Sequence, residues 1–428
     1  MFVSSVKHID SYYASSGTWP EFPALQDALN CEILIIGAGF SGLHTALKLA
    51  EAGVHNVAVI EASRIGWAAS GRNGGQAILG WSSDMGPLEH DLGYGDALAL
   101  WQDMEWAAQE IQEIPKRHGF DIDYRSGHLW CSVQAKKVAG LQHWVEEAQN
   151  RWHYEGLRFI PKAELPQWIA SERYQAAVLD QNGGHLHPLK LCYGIATTLQ
   201  AQGVRLFEQT RALRYQRVHD HIEVETAHGR ITCRQLVLAC NAYIDQLEPK
   251  LNKKMLPVGC FQVATEVLDE ARLQAALPHN SCVTDNQFIL DYFRRSADNR
   301  LLFGGGCTYM GGMPKDIHAF MQPLLTRVFP QFADVKIEYA WGGHLDCSVR
   351  RTPDVGMDGN VYWLHGYSGH GVLPTLAAAR AVADALQGQT ERIQRYQNIN
   401  NPNFWGNETL AAPIEALSKM YFRLRDRF

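Results

Sequence analysis

Long apolar runs are missing from this 428-residue chain. No stretch approaches the roughly 18 residues that a membrane span requires, so no membrane span is expected. Paired cysteines are missing too. The nine cysteines are an odd number, spread singly, with no C-x-x-C. That pattern argues against a disulfide framework and against a four-cysteine zinc site, and fits reduced thiols. Residues 1–30 carry polar and charged side chains throughout, without the apolar segment of a secretory signal, so a cytoplasmic protein is expected. Charge of one sign is lacking as well. Lys and Arg total 39 against 45 Asp and Glu, a formal net charge of −6, with no long run of either sign. A mildly acidic chain without a basic stripe is not built to hold nucleic-acid phosphates. The basic residues near the end, from Lys419 onward, are too few to reverse this.

What is present is ample core material. The chain is 46% hydrophobic and 10% aromatic. At about 150 residues per domain it makes two or three domains, or one large one with insertions. The first sharp pattern is an apolar run, Ile33–Ile36, as in a parallel strand buried on both faces. A glycine cluster follows at once. Leu43, Ala46, Leu47 and Ala50 then recur at helical spacing, with Gly53 where a helix C-cap glycine sits. Val57–Ile60 is a second buried strand and ends at Glu61. These elements make one β-α-β unit. Further along, the spacing predicts helices over 96–118 and 189–202. It also predicts a hairpin of His221–Thr226 with Arg230–Cys233 and a buried strand over 236–239. Residues 255–310 read as an antiparallel, strand-rich stretch. A last strand over 361–364 leads into a helix with Pro374 near its first turn and Gly388 after its last.

The glycine cluster, Gly37-Ala38-Gly39-Phe40-Ser41-Gly42, is a G-x-G-x-x-G fingerprint in its proper setting between strand and helix. Gly37 makes the tight turn, Gly39 lets a pyrophosphate approach the backbone, and Gly42 lets the helix pack against the sheet. The helix N-terminus adds unpaired N–H groups and a positive dipole end. Glu61, at the end of the next strand, suits the hydroxyls of an adenosine ribose and disfavours a 2′-phosphate. NAD and FAD both remain open on this unit alone. Two more glycine-rich loops favour the flavin. One spans 69–76 (ASGRNGGQ). The other spans 365–371 (HGYSGHG), at the start of a second helix, and could serve the edge of a flavin that gains negative charge on reduction.

Together the fingerprint and these two loops resemble the FAD-dependent D-amino-acid oxidase superfamily, which includes glycine and sarcosine oxidases. Residues 11–13 (SYY), 61–66 (EASRIG), 183–188 (GGHLHP), 241–243 (NAY), 297–302 (ADNRLL) and 424–427 (LRDR) are similar to its γ-glutamylputrescine oxidase branch. The resemblance implies an α/β (α+β) fold: a Rossmann-like FAD-binding domain with an antiparallel-sheet substrate domain inserted. The expected division gives the FAD domain residues 28–118, 185–245 and 345–395, and the substrate domain 119–184 and 246–344. Residues 1–27 form an N-terminal arm and 396–428 a C-terminal extension. The resemblance also implies FAD contacts from Gly37, Gly39, Phe40, Ser41, Gly42, Glu61, Ala62, Ser70, Arg72, Gly74, Gly75 and Gln76. Ala212 would serve the adenine. Gly366, Gly369, His370, Gly371 and Val372 would serve the flavin's pyrimidine edge.

The implied reaction passes a hydride from the carbon beside an amine nitrogen to flavin N5. The imine hydrolyses to an aldehyde and ammonia, and oxygen or another acceptor reoxidises the flavin. An alkylamine is protonated at neutral pH, so the site must strip or accept a proton. Catalytic candidates are His344 as a proton relay, Trp341 as an aromatic cation-holding face and Tyr309. Tyr339 and Asp346 are candidates for substrate contact. A γ-glutamyl group brings a carboxylate, for which Arg294, Arg295, Arg350 and Arg351 are available. Cys347 is a candidate for a covalent flavin thioether. His185 and His187 form an H-x-H pair read as a structural turn, with no metal expected. The expected substrate is the small-molecule amine γ-glutamylputrescine or a similar γ-glutamylated polyamine. The alternative is a D-amino acid, glycine or sarcosine.

Overall fold

A computed structural model describes residues 7–309 and 312–404, without the Tyr309 side chain. The basic chain end, the 424–427 motif and most of the expected C-terminal extension lie outside the described residues.

The apolar runs build a six-stranded sheet. Its order is Asp354–Asp358, Val361–His365, Gln235–Leu238, Ile33–Ile36, Val57–Ile60 and Arg205–Phe207. All neighbours pair in parallel except the first two strands, which are antiparallel at one edge. Alternation along the strands sorts side chains between two cores. Ile33, Ile35, Val57 and Val59 pack with the helices. Leu34, Ile36, Ala58 and Ile60 pack with Ile222, Val224 and Ile231 of a second, four-stranded sheet. That second sheet contains the expected hairpin. It also has a strand that sequence periodicity missed, Ala212–Val218, whose outward face is polar.

Helix Phe40–Glu51 follows the first strand directly. Its apolar spacing predicts one buried face, yet nearly every side chain from Phe40 to Ala50 is buried. The cause is packing between the sheet and two more helices, Pro188–Ala201 and Pro374–Leu386. The helix expected over 96–118 is Tyr94–His118. It stops at Gly119 in the left-handed conformation, with Lys116, Arg117 and His118 on its negative dipole end.

A nine-stranded sheet holds the remaining long strands. Met255–Thr265 lies between Ile337–Ser348 and Leu301–Tyr309, antiparallel to both. Tyr292–Arg295, Cys282–Asp285, Arg125–Ser132, Ala176–His185 and Gln76–Ala77 continue the sheet. Cys282–Asp285 runs parallel to Arg125–Ser132, a local exception to the antiparallel expectation. Gln76–Ala77 carries the 69–76 glycine loop from the parallel sheet onto this larger one. Among the described residues no helix is long and apolar enough to cross a membrane.

Candidate functional site

A cleft of about 1420 Å³ lies among the glycine loops and the large sheet. Gly37, Gly39, Phe40, Ser41, Glu61, Ala62, Ser70, Arg72, Gly74 and Gln76 all line it. So do Ala212, Gly369, His370, Gly371 and Val372, together with Trp341, His344 and Cys347. Gly42, Gly75 and Gly366 are not among the lining residues but adjoin them in the chain. Residues far apart in sequence thus share one cavity.

The first glycine loop is tight for steric reasons. Gly37 has φ +108°, and a Cβ there would lie 2.4 Å from the Ala239 carbonyl oxygen. A Cβ on Gly42 would lie 1.9 Å from the Gly37 carbonyl oxygen, so only glycine lets this helix start against its strand. The Gly37 N–H donates to the Ile60 carbonyl at 2.8 Å, tying the turn to the next strand. Glu61 reaches back across that turn. Its two carboxylate oxygens accept from the N–H groups of Ala38 (3.0 Å) and Ser63 (2.9 Å). Burial raises its pKa and these N–H groups oppose the rise. Ser70 Oγ accepts from the Phe40 N–H at 2.8 Å, so the second glycine loop is fastened to the helix N-terminus.

Arg72 is fixed by its surroundings. Its Nε donates to the Trp67 carbonyl at 2.6 Å, its Nη1 reaches the Gly342 carbonyl at 3.3 Å, and its guanidinium lies 4.1 Å from the centre of the Trp67 ring. Its Nη2 is buried without a protein partner. A buried cationic donor left unpaired in a cleft calls for an acceptor from a bound group.

The last glycine loop is anchored to the sheet. The Asp346 carboxylate accepts the Gly366 N–H, and the Asp346 carbonyl accepts the Ser368 N–H at 2.9 Å. Asp346 thus positions this loop from the cleft wall, which it also lines. Burial pushes its pKa up to about 6. His370 Nε2 donates to the Ile78 carbonyl at 2.9 Å, and burial lowers its pKa, so the ring is neutral. The Ser41 hydroxyl donates to the Tyr367 hydroxyl at 3.2 Å and joins the first loop to the last.

The cleft wall is set by strand register. Trp341 pairs with Gln262. Its indole N–H donates to the Arg72 carbonyl at 2.9 Å, and the Gln262 amide donates to the carbonyls of Arg72 (3.2 Å) and Asn73 (3.3 Å). Trp341 thus positions the second loop as well as lining the cavity. His344 Nδ1 lies 3.3 Å from the Tyr243 hydroxyl, and both rings line the cleft. The Cys347 thiol also lines it, and burial, with Asp346 nearby, pushes its pKa up to about 12. Tyr309 ends a strand of this sheet opposite Val258. Tyr339 is not at the cleft; it lies against Tyr12 and beneath Arg300, which corrects its reading as a substrate contact.

The histidine pair is absorbed by local structure. His185 Nε2 donates to the Asn280 carbonyl at 2.8 Å. His187 Nδ1 accepts from the Lys190 N–H at 3.1 Å and caps helix Pro188–Ala201.

Several residues support the site in roles the sequence did not assign; Arg294, open from sequence only as a carboxylate partner, is one of them. Arg294 Nε donates to the Gly74 carbonyl at 2.6 Å and its Nη2 to the Tyr13 hydroxyl at 3.0 Å. Gln262 is a lone amide in an apolar strand, and that interruption is the signal that marks it; Arg294, next to Arg295 and Ser296, carries no such local signal. His128, bonded to Thr284 at 2.6 Å, lines the cleft beside His370, and burial pushes its pKa down to about 3.

A family model described as "DAO: FAD dependent oxidoreductase" matches residues 32–385. The chain is 39% identical over 427 residues to the gamma-glutamylputrescine oxidoreductase of Escherichia coli (strain K12), covering 98% of this chain and 99% of that one. It is 35% identical over 429 residues to the probable oxidoreductase OrdL of Haemophilus influenzae, covering 99% and 98%. The glycine oxidase structure from Geobacillus kaustophilus superposes with a TM-score of 0.73 over 88% of this chain and all of that one, at 18% identity, a likeness of fold.

Proposed function

The chain belongs to the FAD-dependent oxidoreductase (DAO) family, and from that premise we propose that it oxidatively deaminates γ-glutamylputrescine or a similar γ-glutamylated polyamine. The observation that carries this reading is the similarity to the Escherichia coli relative along nearly the whole of both chains. The cleft of about 1420 Å³, whose lining extends beyond the glycine loops to Trp341, His344 and Arg351, supports it.

The protein's cofactor is FAD, and the residues present fit it. Gly37, Gly39 and the N-terminus of helix Phe40–Glu51 offer a side-chain-free approach to the pyrophosphate. Glu61 and Ala62 serve the adenosine ribose, and Ala212 serves the adenine. The buried unpaired Nη2 of Arg72 supplies a cationic donor along the path of Ser70, Gly74, Gly75 and Gln76. Gly366, Gly369, His370, Gly371 and Val372 close the far end. Bound FAD supplies the acceptor for the hydride that leaves the carbon beside the amine nitrogen.

The chain's own residues prepare the amine. Trp341 and Tyr243 present aromatic faces that exclude water and weaken the hold on the ammonium proton. His344, oriented through Nδ1 by the Tyr243 hydroxyl, takes that proton as the amine settles. Neutral His370, donating to Ile78, keeps the last loop closed without adding a positive charge.

The test is turnover of γ-glutamylputrescine, putrescine, sarcosine and D-alanine by the holoenzyme, measured as aldehyde and ammonia released. The highest kcat/KM is expected for γ-glutamylputrescine. A higher value for sarcosine or D-alanine would overturn the proposal. Running the reaction with oxygen and with a redox dye identifies the acceptor.

A further inference from the structure

We propose that Arg351, seated on the ring of Phe288 at the cleft wall, binds the carboxylate of the substrate's γ-glutamyl group. The inference rests on the γ-glutamylated substrate proposed above. Of the four arginines open to this role from sequence, the structure leaves one. Arg294 spends its N–H groups on the Gly74 and Arg295 carbonyls and the Tyr13 hydroxyl. Arg295 faces a separate small pocket, with Nη2 on Asn299. Arg350 lines the cleft but is neutralised by Asp91 and held by the carbonyls of Asn400 and Pro87. Arg351 lines the cleft too, and among the described residues no carboxylate is paired with it.

Its setting is preorganised. The guanidinium lies 4.2 Å from the centre of the Phe288 ring. One face rests on the ring, so the edge that binds a carboxylate through two N–H groups stays available. Arg351 holds the left-handed conformation, φ +59°, and its N–H donates to the Ser348 carbonyl at 3.2 Å. A non-glycine residue held there carries strain that the surrounding structure must sustain. The loop under it is stapled as well. One oxygen of Asp285 accepts from the N–H groups of Gln287 (3.1 Å) and Asp291 (3.3 Å), and the Asn286 N–H donates to the Cys131 carbonyl at 2.9 Å. A fixed cation at a cavity wall binds an anion with little ordering cost.

The test compares γ-glutamylputrescine with N-acetylputrescine, which keeps the amide and the amine but lacks the carboxylate. Wild-type holoenzyme, Arg351→Gln and Arg351→Lys are assayed at equal flavin content. A charged hydrogen-bonded pair predicts that Arg351→Gln lowers the kcat/KM ratio of the first substrate to the second roughly 10- to 100-fold, mostly through KM. Arg351→Lys should fall between, keeping charge but losing the planar fork. A ratio unchanged in Arg351→Gln, with γ-glutamylputrescine still the best substrate of the wild type, overturns the carboxylate clamp alone. A wild-type enzyme that does not oxidise γ-glutamylputrescine overturns the substrate reading and the clamp together.

Discussion

Replacing Gly42 with alanine sets two opposing effects against each other. In helix Phe40–Glu51 alanine gains about 1 kcal/mol over glycine through its helix propensity. Against this, the new Cβ would sit 1.9 Å from the Gly37 carbonyl oxygen and 3.1 Å from Ile35 Cγ2. Ordinary contact begins near 3.4 Å, so helix and turn would have to part by about 1.5 Å. The obstacle is backbone, and Gly37 is already held at φ +108° by the close approach of Ala239. Overpacking costs about 1–3 kcal/mol, and the upper end applies where backbone must move. The net expectation is a loss of about 2 kcal/mol and a marked loss of FAD affinity, because the displaced turn is the one proposed to receive the pyrophosphate. Gly95→Ala is the control. It stands in helix Tyr94–His118 with nothing within 4 Å, so alanine should be neutral or stabilising by up to about 1 kcal/mol. Thermal unfolding of both variants, with FAD titration of the apoproteins, measures the effect. Wild-type melting and wild-type FAD affinity in Gly42→Ala would refute the steric argument.

Arg294→Met removes the buried donor to the Gly74 carbonyl and the Tyr13 hydroxyl, at a cost of about 2–4 kcal/mol for the two groups left unsatisfied. Chemical denaturation should show the loss, and an unchanged midpoint would contradict it. Acid should destabilise the protein well above the carboxylate range. Burial lowers the pKa of His44, His128, His185 and His187 to about 3 each, so between pH 6.5 and 3 the unfolded chain binds more protons. Asp285 and Asp346, raised by burial to about 7 and 6, retain protons in the fold and partly offset this as the pH falls. Burial also lowers His8 to about 4, which adds to the loss, and raises Glu61, Asp103, Asp180 and Asp291, which adds to the offset. A urea midpoint that holds or rises at pH 5 would contradict that sign. The Cys347 thiol, with its pKa pushed up to about 12, is not poised as a nucleophile, so acid precipitation should release the flavin. Flavin retained in the pellet by wild type and released by Cys347→Ser would show a thioether instead.

The nucleotide-binding unit was legible because its determinants are local. A strand, a glycine turn, a helix start and an acid follow one another between Ile33 and Glu61, so the order of the elements is read from those residues alone. The other two glycine loops were legible for the same reason. The cleft wall was not, because it depends on pairing between distant strands. Only the register of Met255–Thr265 with Ile337–Ser348 places Gln262 beside Trp341 and both against Arg72. Arg294 meets Gly74 across most of the chain, which no local pattern encodes. The same limit misplaced Tyr339. It shares a strand with Trp341, His344 and Asp346, which line the cleft, but it packs against Tyr12 and beneath Arg300 instead. The near-complete burial of helix Phe40–Glu51 escaped notice because its periodicity reports one apolar face, while the helices that cover the others come from elsewhere in the chain.

The central claim is that this FAD enzyme takes its electrons from a γ-glutamylated amine. Anaerobic titration of the holoenzyme tests it most directly, with loss of the oxidised-flavin band followed for γ-glutamylputrescine, putrescine, sarcosine and a D-amino-acid panel in turn. Bleaching by γ-glutamylputrescine is expected at the lowest concentration. Bleaching by sarcosine or a D-amino acid alone would contradict it.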